Sequence, residues 1–90
     1  MAQVNFTYAL KRFYPQLAAT EIKGNTIADI VDGINERFPG IKNYLVDEQG
    51  RLRRHVNIFI SNELISDREN LLDPVREEDE VFIMQALSGG

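Results

Sequence analysis

Residues 80–90 read Glu80-Val81-Phe82-Ile83-Met84-Gln85-Ala86-Leu87-Ser88-Gly89-Gly90, and the alternation in this stretch decides how the rest of the chain is assembled. Val81, Ile83 and Leu87 alternate with Phe82, Met84 and Ala86, which predicts a final strand over 81–87 with apolar side chains on both faces. The strand runs straight into two glycines. At an average glycine usage of about 7%, a given pair of positions holds two glycines roughly once in 200 chains, so the pair reads as a working part. Glycine has no side chain to obstruct a narrow channel and reaches backbone angles closed to other residues. Residues 86–90 are therefore expected to form a flexible tail that threads into another protein. Its one chemical group is the Gly90 carboxylate, with Gly89 and Ser88 providing clearance.

Working back from that strand, Val56-Asn57-Ile58-Phe59-Ile60-Ser61 is the clearest other strand, with Val56, Ile58 and Ile60 on one face and Phe59 on the other. Asn62-Glu63 is expected to turn the chain toward Leu64-Ile65. Asp47 to Gly50 marks a turn, and 41–54 reads as a loop with short strand pieces. Further upstream, Thr26 followed by Asp29 resembles a capping box, and Ile27, Ile30, Val31, Ile34 and Phe38 recur at helical spacing until Pro39-Gly40 ends the helix. Val4, Phe6 and Tyr8 alternate with Asn5 and Thr7, predicting a first strand to Leu10. Leu17 to Ile22 reads as a weaker second strand. An order of strand, strand, helix, strand, strand, strand predicts an α+β domain over 1–90, a mixed sheet with one helix across one face and the first and last strands paired at its centre. The other face would then carry Phe59, Phe82 and Met84 as a docking patch, unless loop residues such as Phe13 and Tyr14 cover them.

Composition narrows the function classes. The 90 residues are 43% hydrophobic and 27% charged, the balance of a folded globular domain. No apolar run reaches the roughly 18 residues of a membrane helix, and the first residues lead into no signal-like segment, so the expected setting is cytoplasmic. The chain has no cysteine, which excludes a disulfide framework, a thiol nucleophile and cysteine-ligated metal. Eight Lys and Arg against six Asp and Glu in 1–54 contrast with two against eight in 55–90, so the half that holds the tail is acidic. Such asymmetry steers association with a basic surface. Arg51-Arg53-Arg54 is too small a cluster for nucleic acid. His55 is the one histidine and reads as a surface residue, and Asp73, Glu77 and Asp79 read as solvated loop carboxylates. No catalytic triad or metal set emerges.

The diglycine after a final strand, the Thr26 to Val31 helix start, Arg37-Phe38-Pro39-Gly40 at the helix end and Asp79-Glu80-Val81 before the last strand together resemble the MoaD/ThiS family of ubiquitin-like sulfur carriers. The long middle segment 45–57 is more similar to the branch containing carriers for cysteine biosynthesis. The resemblance implies a β-grasp fold and a carrier, not an enzyme, acting with or as the small subunit of a sulfur-transfer complex. It implies that an E1-like enzyme, bringing ATP and Mg²⁺, adenylates the Gly90 carboxylate and that a sulfur donor converts the adenylate to a thiocarboxylate. That sulfur would pass to a downstream synthase, for cysteine, or for molybdopterin, thiazole or a siderophore. The carrier binds no cofactor of its own. Phe59, Phe82, Met84 and Leu87 are the expected docking residues of a monomer that contacts neither nucleic acid nor membrane, and a trimming protease is a further expected partner if Gly90 is exposed by cleavage. Two other readings remain: a protein modifier joined through Gly90 to lysines, and a non-covalent adaptor with an inert tail. The family pattern often has Asn-Gly after the central strand and Gly-Asp-Glu before the last. Asn62-Glu63 and Glu78-Asp79-Glu80 stand there instead, without the glycine that eases a left-handed turn.

Overall fold

In the computed structural model, which describes residues 1–85 apart from the side chains of Ala9 and Phe13, β1 (Ala2–Phe6) and β5 (Glu80–Gln85) run parallel side by side. β2 (Thr20–Ile22) pairs antiparallel with β1, β3 (Val56–Ile60) antiparallel with β5, and β4 (Glu63–Leu64) with β3, giving the order β2-β1-β5-β3-β4. Parallel neighbours need a long crossover. Here it includes α2 (Ile27–Arg37), whose Ile27, Ile30, Val31 and Ile34 are buried in one cluster with Val4, Val56, Ile58, Val81 and Ile83. Burying each such side chain contributes about 1.5–3 kcal/mol. The result is the expected β-grasp arrangement, with α2 on one face of a mixed sheet.

The start of α2 is tied down as its sequence suggested, one residue out of register. Asp29 N–H donates to Thr26 Oγ1 at 3.2 Å, while the Asp29 carboxylate accepts from Asn25 N–H at 3.0 Å, the residue before the N-cap. The loop over 66–75 completes the cap: Ile27 N–H reaches the Asp73 carbonyl and Ala28 N–H the Leu71 carbonyl, so backbone donors that α2 cannot satisfy itself are paired.

Several expected boundaries are corrected. The first strand ends at Phe6 rather than Leu10, and Tyr8–Phe13 form a short helix, α1. Thr7, extended at φ −77° and ψ 161°, is its N-cap, and the apolar spacing changes there from two to four, so that Phe6 and Leu10 are buried while Tyr8 is 78% exposed. The second strand shortens to Thr20–Ile22, because Leu17 N–H bonds the Tyr14 carbonyl in a turn and Ala18 and Ala19 are exposed. Part of the 41–54 loop is helical: α3 spans Lys42–Leu45, with Asn35 Oδ1 accepting from the N–H groups of Gly40 and Lys42 at its start, and a single bridge joins Val46 to Leu52.

The turn after β3 also sits one residue early. Ser61 and Asn62 take φ 46° and 75°, the left-handed pair that a tight hairpin needs, and Glu63 already belongs to β4. Before β5, the turn over 76–79 uses no left-handed residue among those described. It closes instead through Asp79 N–H on the Arg76 carbonyl at 3.0 Å and Arg76 N–H on Asp79 Oδ2 at 2.8 Å. Asp79 and Asp73 are thus structural acceptors rather than solvated loop carboxylates: Asp79 is buried, and Asp73 accepts from the N–H groups of Ser66 and Asp67. Glu77, Glu78 and Glu80 are exposed, as expected of a solvated turn.

Candidate docking face and tail root

β5 lies between β1 and β3, so its two faces have different fates. Val81 and Ile83 point into the core, and Phe82 and Met84 point away from α2, where they remain 41% and 37% exposed. Register brings further apolar groups beside them. Phe59 is directly opposite Phe82 on one side and opposite Leu64 on the other, and Asn57 is opposite Met84. Partners opposite one another share a face, so Phe59, Leu64, Phe82 and Met84 form one apolar stripe across three strands. Asn5, Ser61, Asn62 and Glu80 border it, and with Phe59, Phe82 and Met84 they line a shallow cavity of about 290 Å³.

The expected docking residues Phe59, Phe82 and Met84 are therefore adjacent in space. Tyr14 does not cover them: its ring packs edge-on against Tyr44 at 5.6 Å and its hydroxyl bonds the Pro39 carbonyl, at the end of α2. The expected Asn62-Glu63 turn sets Leu64 opposite Ser61, whereas the Ser61-Asn62 turn sets it opposite Phe59, which is how it joins the stripe. Leu87, Ser88, Gly89 and Gly90 lie outside the described residues, so the docking and tail assignments made for them rest on sequence.

At the acidic end of this face the side chains are locked. The Asp79 carboxylate accepts from Ser61 Oγ at 3.0 Å as well as from Arg76 N–H, and the Arg76 guanidinium lies 3.8 Å away. The Arg76 backbone bond is the main reason the Asp79 carboxyl is held below the usual carboxylate range, with the Ser61 hydroxyl and the Arg76 charge adding to it against the opposing effect of burial. Asp67 is lowered in the same way by the N–H of Asn70, and Asp47 by the N–H of Arg51. All three carboxylates accept backbone N–H bonds that hold loops in place, which is structural chemistry rather than acid–base catalysis. His55 is exposed, and no group of three or more His, Asp or Glu among the described residues is arranged to hold a metal. No helix among them is long and apolar enough to cross a membrane.

At the other end of the face, Gln85 is opposite Val56 and its N–H lies 3.4 Å from Thr7 Oγ1. The chain continues from there toward Gly90. The arrangement places an apolar face beside Gln85, the last described residue.

Comparison with known proteins agrees with this geometry. A family model described as the ThiS family matches residues 7–90. The sulfur carrier protein CysO of Mycobacterium tuberculosis is 29% identical over 69 residues, 74% of each chain. Among solved structures, one described as the Amycolatopsis orientalis BexX/CysO complex superposes with a TM-score of 0.84 at 28% identity, covering 100% of both chains. The small archaeal modifier protein 1 of Methanosarcina acetivorans superposes with a TM-score of 0.73 at 19% identity, over 99% of this chain and 95% of that one, and so shares the fold.

Proposed function

We propose, since the chain belongs to the ThiS family, that it is a sulfur carrier whose Gly90 carboxylate is adenylated by an E1-like enzyme and then converted to a thiocarboxylate. A carboxylate with a reference pKa near 3.3 to 3.7 is an anion at neutral pH and a poor acyl donor. Attack of its oxygen on the α-phosphorus of ATP expels pyrophosphate and gives an acyl-adenylate; hydrosulfide or an equivalent donor then displaces AMP, leaving sulfur on Gly90. ATP, Mg²⁺ and catalytic groups belong to the enzyme. The chain contributes the tail, with Gly89 and Ser88 as clearance, and the Phe59, Leu64, Phe82 and Met84 stripe, to which Leu87 adds, as the surface on which the enzyme docks. It acts as a monomeric carrier in the cytoplasm, whether Gly90 is exposed by the stop codon or by a protease.

The observation that carries this reading is the position of β5: one central strand presents Phe82 and Met84 outward and ends at Gln85, five positions before Gly90 in the sequence. A partner seated on the face would have the tail beside it. The similarity to CysO sulfur carriers supports a final acceptor in cysteine synthesis over one in molybdopterin, thiazole or siderophore assembly.

Intact mass of the chain purified from its own host tests the proposal. A gain of about 16 Da, oxygen replaced by sulfur, that shifts again on alkylation with iodoacetamide is the expected result. Unmodified chain together with ladders of high-mass lysine conjugates would assign it to the modifiers instead, and unmodified chain that an E1-like enzyme fails to adenylate would leave an adaptor.

A further inference from the structure

We propose that the pocket beside the tail root is a docking site for a carboxylate-rich segment of the protein that takes up the tail. The fold gathers there cations that are far apart in sequence. Arg51, Arg53, Arg54, His55 and Arg68 line a cavity of about 560 Å³ together with Asp47, Leu52 and Glu69. Asp47 is paired with Arg51 at 3.2 Å. Arg68 is half-buried, yet its guanidinium meets only neutral acceptors: Asn57 Oδ1 at 3.1 Å, the Arg53 carbonyl at 2.7 Å and the Val56 carbonyl at 2.9 Å. Arg53 Nε likewise donates to the Asn43 carbonyl at 3.1 Å. Among the described residues no carboxylate lies within ion-pair distance of Arg53, Arg54 or Arg68. Glu69 lines the pocket with these three guanidinium groups without pairing with any of them, in a chain whose formal net charge is −4.

Partly desolvated guanidinium groups whose fixed partners are neutral attract an anion more strongly than the same groups in bulk water, and their planar fork suits carboxylates. The site's position selects its occupant. His55 directly precedes Val56, the residue opposite Gln85, so the pocket borders the start of the tail. Gly90 lies five positions beyond Gln85, a stretch that spans at most about 18 Å fully extended. A protein that holds Gly90 in an active site is thus brought within that reach of the pocket, where acidic residues at the mouth of its channel can meet the arginines. Glu63 and Glu80, at the other end of the stripe, carry the opposite sign. The apolar stripe thus lies between an acidic pole and a basic one, which orients a partner along the strands and so decides from which end the tail is received. This inference rests on the proposed function only for the identity of the partner.

The full-length chain labelled with ¹⁵N, titrated with hexaglutamate at an ionic strength on the order of 10 mM, reads the site directly. The expected result is saturable shifts confined to residues 51–56 and 68–69, with at least five-fold weaker binding in Arg54→Glu and partial retention in Arg54→Lys. Arg54 is exposed and holds no other element in place, so both variants should melt like the parent. Absence of saturable shifts, or equal affinity in Arg54→Glu, overturns the proposal, as does tighter binding of inorganic phosphate than of the peptide. None of these readouts needs an activated Gly90. Peptide binding by a chain that never acquires sulfur would leave the pocket standing without the carrier reading, and a thiocarboxylate on a chain that ignores the peptide would do the reverse.

Discussion

The Ser61 hydroxyl donates to the buried Asp79 carboxylate at 3.0 Å, across the ends of β3 and β5. Ser61 N–H also bonds the Glu80 carbonyl at 2.8 Å, so a residue held at φ 46° is fastened to the start of the central strand by both backbone and side chain. Asp79 in turn holds the Arg76 N–H. Asp79→Ala should therefore cost about 1–3 kcal/mol at neutral pH, the cost of removing a buried, charged acceptor from two part-buried hydrogen bonds, and lower the melting temperature by several degrees.

The same carboxylate predicts a pH dependence. Its folded-state pKa lies below the ordinary value, chiefly because the Arg76 N–H bonds the ionised form. Its stabilisation is therefore complete above the unfolded value near 3.9 and is lost as pH falls through the lower folded value. Asp67 and Asp47, shifted in the same direction, act in the same window. Urea unfolding between pH 6 and pH 2 should give a shallower acid limb for Asp79→Asn than for the parent. Equal limbs would remove Asp79 from the account.

What was legible in the sequence follows from periodicity. The α2 stripe, the β3 alternation, the β5 alternation as far as Gln85 and the central pairing of the first and last strands are carried by apolar spacing over five or more residues, and are observed; Ala86 and Leu87 of the expected strand lie outside the described residues. Short elements were not legible. α1 begins where an alternating pattern is still running, and its evidence is a single buried Leu10 four residues after Phe6. Asp79 was misread because its neighbours Glu78 and Glu80 are exposed, and only the fold places one carboxylate of an acidic run under a backbone turn. Leu64 joined the docking stripe through strand register, and a one-residue offset in the turn keeps its face but sets it opposite Ser61 instead of Phe59. The basic pocket needed Arg68, brought to Arg53 by an irregular loop with no sequence period.

Helix α2 approaches the edge strand closely at Gly33. A Cβ placed there would lie 2.4 Å from Ile22 Cγ2, on a β-branched side chain that is itself buried between strand and helix. Alanine usually strengthens a helix by about 1 kcal/mol relative to glycine, but overpacking of this kind costs about 1–3 kcal/mol. Gly33→Ala should thus be neutral to destabilising, with the clash shown by a cycle. If steric contact decides the sign, Gly33→Ala in an Ile22→Ala background should stabilise by most of the helical gain. Additive effects in chemical denaturation would locate the cost elsewhere.

The exposed stripe allows docking to be separated from folding. Phe82 and Met84 project from the sheet and are already partly in water, so Phe82→Asp or Met84→Asp should change the melting temperature by little. Phe59→Asp, at a half-buried position between Phe82 and Leu64, should cost more stability. If the face is where the activating enzyme docks, each of the exposed variants weakens binding at least tenfold, about 1.4 kcal/mol, by titration calorimetry. Affinity equal to the parent's would assign the stripe no part in docking.

The tail separates activation from docking in the opposite sense. Gly89 precedes the residue proposed to react, and a channel that admits an extended chain to an adenylation site discriminates by width. Valine at 89 adds a β-branched side chain where glycine has none and confines the backbone to fewer conformations. Gly89→Val should therefore leave the melting temperature and the affinity of the stripe unchanged, and reduce ATP–pyrophosphate exchange by the activating enzyme at least 100-fold, with Gly89→Ala between the two. Width alone would make the loss track side-chain size, whereas a need for a left-handed backbone would make alanine nearly as damaging as valine. Normal exchange by Gly89→Val would mean that the tail does not thread a channel, and the carrier reading would then rest on the carboxylate of Gly90 without a role for its neighbour.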